Sequence, residues 1–552
     1  MPPAVDLRAM TWDAASHALI GLDMFDFVRR FEPLRLLLRL QEEHWWPPLF
    51  GLLSLPAYLF GGRQLSSPSL VSLASYCLMP TVAWLTIRRL TRGAALFAWG
   101  LVAIFFLRSP TLLEMSAWSM LEPAAGLFAV AAFCCFLAEP QSRTRKWAYG
   151  FAGASTLLKY HYGFFLLVTL AVATIAELPA DERRSLFQYA LARLREKKIW
   201  IPLGILAAAI VTRRIAEIHN PHPPIPSVPN LIWIGSIVAL LIVLSQWMRT
   251  RRVPWSTLPV ALQRFLTCGL AWPLIWCIDP ANVHAWYREL GVTTDPPASF
   301  FEQLRLLPFY FTRDYFLGPL ILAIVLIGVA FSLVDGIRRR NVGLLALTFH
   351  AIWPVAVMSL SSYRIESRFL STMVVCLLTS AAAGWTLFVE QRGTAIRIGV
   401  SVGMIALLGA DQSLRAADWQ RELVTRRIYC YASSDPPDRF VRETVKAFSV
   451  GDPVLIVLPK DIEVVAPTIR LGLRIDMKDV RPDLIDVEGG SEGLFVKRLR
   501  AFPRGLIGAD TDPATLRRLI EANGLRVISE QTGPAIPGTA DRSLHVAGVE
   551  RR

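Results

Sequence analysis

Apolar residues run in long blocks along most of this chain, broken by short clusters of charge or proline. A block of about 20 apolar residues is the length a helix needs to cross the hydrocarbon core of a bilayer. The pattern predicts spans at 68–87, 93–108, 120–138, 147–158, 161–178, 199–212, 230–248, 256–278, 318–334, 342–360, 369–389 and 396–410. The expectation is therefore a polytopic all-α membrane protein with about twelve transmembrane helices. The fourth block is short for a span, at about 1.5 Å per residue.

Basic residues decide the direction of threading. Starting the cytoplasmic loops at Arg88-Arg89-Leu90-Thr91-Arg92 gives that side 20 Lys and Arg, against 8 in the opposite short loops. The excess marks the cytoplasmic face. It also requires two passes between 147 and 178, since a single pass would invert every later loop. The first 67 residues, the loop 279–317 and the tail 411–552 then share the exoplasmic side, as does the proline-rich 221–229 run, read as a stiff connector.

The chain divides into three regions: 1–67, an exoplasmic loop with juxtamembrane amphipathic helices; 68–410, the transmembrane domain; and 411–552, a small soluble α/β domain. In the tail, 452–459 and 493–499 read as buried strands, and 513–530 as a helix stopped at Asn523-Gly524 and followed by a strand.

Composition agrees with the span pattern. Mean hydropathy is +0.41, with 53% hydrophobic and 18% charged residues. The net charge of +14 does not indicate nucleic acid, because the tail is nearly neutral and the surplus lies among the apolar blocks. Six of seven cysteines lie in or beside those blocks, which gives no disulfide framework and no readable metal site. Residues 1–12 carry no apolar core of a secretory signal.

Ionisable residues near predicted membrane boundaries supply the candidate chemistry. In Thr11-Trp-Asp-Ala-Ala-Ser-His17, further charged residues come within the next turns, so this stretch is no span; Asp13 and His17 share a helix face, with Leu22, Phe25 and Val28 available to press on the membrane surface. Helix capping by Asp13 is an equal reading of that stretch alone. His44-Trp-Trp-Pro-Pro-Leu49 enters an apolar run through two prolines, which by itself suits an interfacial belt. Glu114 and Glu122 bracket an exoplasmic turn, where carboxylates are commonly solvated. Lys159 and His161 in Leu157-Leu-Lys-Tyr-His161 lie at or inside the membrane edge, where an ionisable group is costly and a binding role is the default, with snorkelling as the alternative. Arg364 and Arg368 sit at helical spacing in a short exoplasmic loop, and arginine suits phosphate through its planar fork.

These five pieces, in this order, resemble the GT-C superfamily of polyprenyl-phosphate-sugar-dependent glycosyltransferases, of the protein O-mannosyltransferase and lipid A aminoarabinose transferase type. Asp13 and His17 look like the family's acidic motif, His44 to Leu49 like its K/H-P-P-L element with two Trp inserted, and Met120-Leu-Glu-Pro123 like its second acidic site. Leu157 to Tyr160 looks like its L-T-K-Y/P segment, and Glu366-Ser-Arg-Phe369 like its late R-Y element. The resemblance covers residues 11 to about 390.

It implies a GT-C-like fold in a bacterial plasma (inner) membrane, with an exoplasmic active site. A sugar would pass from polyprenyl phosphate to a glycan, lipid or protein acceptor, with Asp13 as general base and Lys159, Arg364 and Arg368 stabilising the departing phosphate. His17, His44, Glu122 and His161 would be acceptor or accessory groups. Some branches use a divalent metal; Ala14, where the family often has a second acidic residue, argues against one here. The family also carries a transmembrane helix before the acidic motif, so the expectation is that this helix is missing. The competing class is a transporter or flippase of lipid-linked sugars, for which no internal repeat is visible.

Overall fold

The computed structural model describes residues 12–42, 47–64, 66–91, 93–117, 119–194, 259–276, 282, 300–316, 318–360, 367–431, 454–459, 482–487, 504–509, 512–535 and 543–552. The predicted spans 199–212 and 230–248, the 221–229 connector and the strand 493–499 lie outside them.

Ten helices lead the chain: α1 (Trp12–Arg29), α2 (Pro33–Glu42), α3 (Leu49–Gly61), α4 (Ser66–Arg88), α5 (Ala95–Leu107), α6 (Pro110–Ala117), α7 (Glu122–Phe136), α8 (Arg145–Thr156), α9 (Tyr160–Glu177) and α10 (Ala180–Leu194). After the gap come α11 (Val260–Arg264), α12 (Ala271–Trp276), α13 (Phe300–Phe309), α14 (Pro319–Arg338), α15 (Val342–His350), α16 (Trp353–Leu360), α17 (Ser371–Glu390) and α18 (Thr394–Tyr431). Among the described residues, six helical stretches are long and apolar enough to cross a membrane, or seven if the α5–α6 pair, bent by 69°, counts as one. The chain is an integral membrane protein.

Several predicted spans are shorter or more broken than the hydropathy pattern suggests. The block 93–108 gives way at Arg108-Ser109 to the bend before Pro110, whose missing N–H suits a first helical turn. The block 120–138 yields the short α7, and 256–278 is interrupted by a π-helical turn at Phe265–Gly269. Periodicity averages over such breaks, which are local backbone events. The predicted boundary at 410/411 falls inside α18, which continues to Tyr431.

The doubtful segment 147–178 is a helical hairpin. Tyr149 Oη meets Thr174 Oγ1 at 2.9 Å, and Arg145 pairs with Glu177 at the open end. Gly163 packs so closely on Thr156 that a Cβ there would lie 2.5 Å from the Thr156 Cα. The chain thus reverses at 157–159, and of the two helices α9 alone is long and apolar enough to cross a membrane.

Loops assigned to one side by that pattern also touch one another. At one end of the bundle the Gly93 amide donates to Glu390, Gln391 donates to Asp335 at 2.8 Å, and Arg264 donates to the carbonyls of Pro140, Gln141 and Ser142. At the other end Thr111 Oγ1 donates to the Asp314 carbonyl at 2.7 Å, and Arg108 pairs with Asp411 at 2.7 Å. Within the bundle, His350 Nδ1 and Trp353 Nε1 both meet Thr169 Oγ1, at 2.9 and 2.8 Å, while that hydroxyl donates to the Phe165 carbonyl.

The first helix corrects an expectation. Leu22 and Phe25 do not press on a membrane surface: they are buried with Ala14 and Ala18 against Tyr58 of α3. Gly21 and Gly51 allow the approach of α1 and α3, since a Cβ on Gly51 would meet Ile20 at 2.8 Å. A buried Asp26–Arg63 pair at 2.9 Å ties the far end of α1 to the segment after α3. The apolar run 49–61 supplies a protein partner where single-helix amphipathicity suggested lipid.

In the tail, strands β1 (Val454–Pro459), β2 (Pro482–Val487), β3 (Arg504–Ala509), β4 (Leu525–Ala535) and β5 (Ser543–Arg551) form one mixed sheet in the order β2-β1-β3-β5-β4. The first three are parallel, and β5 runs antiparallel to both its neighbours. Helix α19 (Pro513–Ala522) is capped by Asp512, which accepts from the Thr515 amide at 2.9 Å, and the chain leaves it through Gly524 at φ +77°. Leu516 and Ile520 bury against Ile507, Leu525, Ala547 and Val549.

Gly163→Ala drives a methyl into the Thr156 backbone and is expected to destabilise the hairpin by about 1–3 kcal/mol. Thermal unfolding in detergent reads this as a lowered Tm; a Tm equal to wild type contradicts the close approach.

Candidate functional site

Lys159 sits in the reversal between α8 and α9 with extended backbone angles, φ −155° and ψ 132°, and caps the start of α9. It is only 2% exposed. Its ammonium stands 4.4 Å from the centroid of the Phe369 ring, and the Arg368 guanidinium lies 5.1 Å from the same ring. Two cations therefore stand beside one aromatic ring at the start of a helix, a setting that favours an anion.

The other motifs reach the same place through specific bonds. The Leu49 amide donates to the Leu157 carbonyl at 3.0 Å, joining the Pro-Pro-Leu element to the segment that carries Lys159. Phe50, Leu121, Ala124, Ala125, Leu158 and Tyr162 bury together, so α3, α7 and that segment share one core. Tyr162 Oη donates to the Arg368 carbonyl at 3.1 Å, fixing the late arginine element onto α9. His17 Nδ1 donates to the Ser119 carbonyl at 3.0 Å, and Ser72 Oγ donates to the Met120 carbonyl at 2.6 Å. These two bonds hold the turn that leads to Glu122, which is buried in the first turn of α7.

His17 lies 5.5 Å from the Phe50 ring. Burial pushes its pKa down to about 3, the bond to Ser119 opposing this and the Lys159 charge adding to it. At neutral pH the ring is uncharged with its proton on Nδ1. His161 packs edge-on against Tyr162 at 4.2 Å and Phe369 at 5.5 Å. Its buried Nε2 has no hydrogen-bond partner among the described residues.

The structure thus brings together His17, Glu122, Lys159, His161 and Arg368. Asp13 is the second residue of α1, one turn before His17 on the same helical face, and is past the capping position; only its backbone is described. His44 and Arg364 lie outside the described residues. Among the described residues, no three His, Cys, Asp or Glu side chains are grouped to hold a metal ion. Lys159 stands near both histidines, and His17 Nδ1 is committed to Ser119.

Sequence reasoning missed three features. The Ser119 carbonyl is a backbone partner and leaves no residue-type signal. Phe369 stood in a quoted motif, but nothing marked its ring as the surface between two cations. Tyr160 Oη accepts from Trp276 Nε1 at 2.9 Å, and the Trp276 carbonyl accepts from Asn282 at 3.0 Å. That chain of bonds links residues more than a hundred positions apart.

No family model matches the chain, and no curated protein matches it. Among solved structures, the chain is similar to ArnT from Cupriavidus metallidurans in the apo state, at 13% identity over 99% of this chain and 95% of the other, TM-score 0.48. It is similar to the same protein bound to undecaprenyl phosphate at 13% identity and equal coverage, TM-score 0.49.

His17 has a testable acid signature. Its folded pKa of about 3 lies below the ordinary 6.5, so the unfolded chain takes up a proton first as pH falls. The stability His17 contributes is present above pH 6.5 and is lost between 6.5 and about 3. Tm measured against pH is expected to fall less over this window for His17→Gln than for wild type. Parallel curves contradict the buried, neutral ring.

Proposed function

We propose that this protein is a GT-C-type glycosyltransferase that moves a sugar from a polyprenyl-phosphate donor to an extracytoplasmic acceptor. The observation that carries this reading is the convergence of motifs. Pieces centred on His17, Leu49, Glu122, Lys159 and Arg368 are spread over some 350 residues, yet bonds or shared packing join each to another at one end of the bundle. The basic-residue count supports placing that end on the exoplasmic side.

In the proposed reaction, an acceptor hydroxyl or amine attacks the anomeric carbon of the donor. The bond from that carbon to the phosphate oxygen breaks, and polyprenyl phosphate leaves with the bonding electrons. Asp13 takes the acceptor proton as the new bond forms. Lys159 and Arg368, with Arg364 from the same loop, stabilise charge gathering on the departing phosphate. The amides at the start of α9 add to that field. The Phe369 ring spaces the two cations without neutralising them.

The histidines suit supporting roles. His17 is uncharged and holds the acidic turn by its backbone, which favours placing Glu122 and the acceptor over carrying protons. The buried Nε2 of His161 is costly to leave without a partner, which supports a group on the donor or acceptor meeting it. His44 remains a candidate accessory group, and the sugar and acceptor are left open.

The test is transfer from a labelled polyprenyl-phosphate sugar by the full chain reconstituted in liposomes. Asp13→Asn is expected to lower kcat by about 10²- to 10⁴-fold, and Lys159→Ala by about 10²- to 10³-fold. Equal transfer by wild type and Asp13→Asn removes the base. Sugar-lipid appearing on the opposite leaflet without transfer replaces the enzyme with a transporter.

A further inference from the structure

Arg108 stands at the bend between α5 and α6, and its side chain is only 7% exposed. It pairs with Asp411 at 2.7 Å, and the same carboxylate accepts from Arg415 Nε at 3.1 Å one helical turn further on. The Nη1 of Arg108 is buried without a hydrogen-bond partner. Asp411 ends the apolar part of α18, the helix that leads from the bundle toward the tail. A buried carboxylate held by two arginines is thus the contact that fastens this helix to the α5–α6 bend.

The bend leads directly into the site. Ser109 Oγ accepts from the Leu112 amide at 3.4 Å, starting α6, and Thr111 Oγ1 anchors that helix to the Asp314 carbonyl. Helix α6 ends at Ala117, two residues before the carbonyl that holds His17 and five before Glu122. A short helix is thus held near its start by Arg108 and Thr111, and the turn that follows it is held by His17 and Ser72.

We infer that the Arg108–Asp411–Arg415 cluster is the joint through which the tail-bearing helix positions the acidic turn, so that Arg108 and Asp411 are positioning residues for the transfer reaction. This rests on the function proposed above. Neither residue is placed against substrate: each acts through α6, the first by starting the bend and the second by holding it. A buried pair suits such a role because its loss leaves a charge uncompensated, while its geometry is satisfied by a single arrangement of the two helices.

The test uses the full chain in liposomes, with Asp411→Asn, Asp411→Glu and the double variant Arg108→Gln/Asp411→Asn. The double variant strands no unpaired buried charge, so it stays informative if the single variant fails to fold. Asp411→Asn and the double variant are expected to lose about 10- to 100-fold in kcat, with donor KM unchanged, and Asp411→Glu to recover most of the rate. Losses in the single and double variants should be similar, because the pair acts as a unit. Hydrogen exchange across residues 109–121 should quicken in the same variants. A double variant with wild-type kcat and wild-type exchange overturns the inference, as does a loss that appears only in KM. If wild type transfers nothing, the function proposed above fails, and exchange across 109–121 alone decides the joint: quickened exchange supports it and unchanged exchange overturns it.

Discussion

A lysine almost wholly removed from solvent at the turn between two membrane-embedded helices is the constraint on which the rest of the site depends. Placing such a cation away from water is costly unless its surroundings compensate. Lys159 answers this by standing over the Phe369 ring, which offers its electron-rich face without a full charge. The arrangement requires the 157–159 reversal, and so the close hairpin of α8 and α9, and so the glycine at 163. The late arginine element must also come to α9, which the Tyr162 bond to the Arg368 carbonyl secures. A chemical requirement at one residue thereby organises elements from distant parts of the chain.

The same cation sets the character of its neighbours. Beside a buried positive charge an imidazolium is doubly disfavoured, by burial and by repulsion, and His17 is accordingly neutral. A neutral histidine with one nitrogen bound to a backbone carbonyl is a spacer and orienting group. Proton transfer in the proposed reaction then falls to Asp13, one turn away on the same face. The positive field falls to Lys159 and Arg368. The proposed reaction divides acid–base work and anion binding between different helices, α1 on one side and the α9 start with the 367–370 turn on the other.

Much of this architecture was legible in the residues. The positions of basic residues pointed to a reversal of the chain within 147–178, and a hairpin held by Tyr149–Thr174 and Arg145–Glu177 lies there, although only its second helix is long and apolar enough to cross a membrane. The helix stop at Asn523-Gly524 follows from the conformational freedom of glycine at φ +77°. Other features were hidden because they depend on partners. Leu22 and Phe25 present the same pattern to a lipid surface as to a neighbouring helix, and only α3 decides between them. The 69° bend at Arg108 and the π-helical turn at Phe265 leave hydropathy almost unchanged. The Arg108–Asp411 pair joins residues some 300 positions apart and has no local signature.

The central claim is that the separated motifs form one anion site, with the donor phosphate against Lys159 and Arg368. A high-resolution structure of the protein with a polyprenyl phosphate bound tests it most directly. The phosphate oxygens are expected within about 4 Å of Lys159 Nζ, ion-pair distance, at the start of α9 and on the same side as Arg368. A phosphate bound at the opposite, arginine-rich end of the bundle, with Lys159 still covered by Phe369, would contradict it.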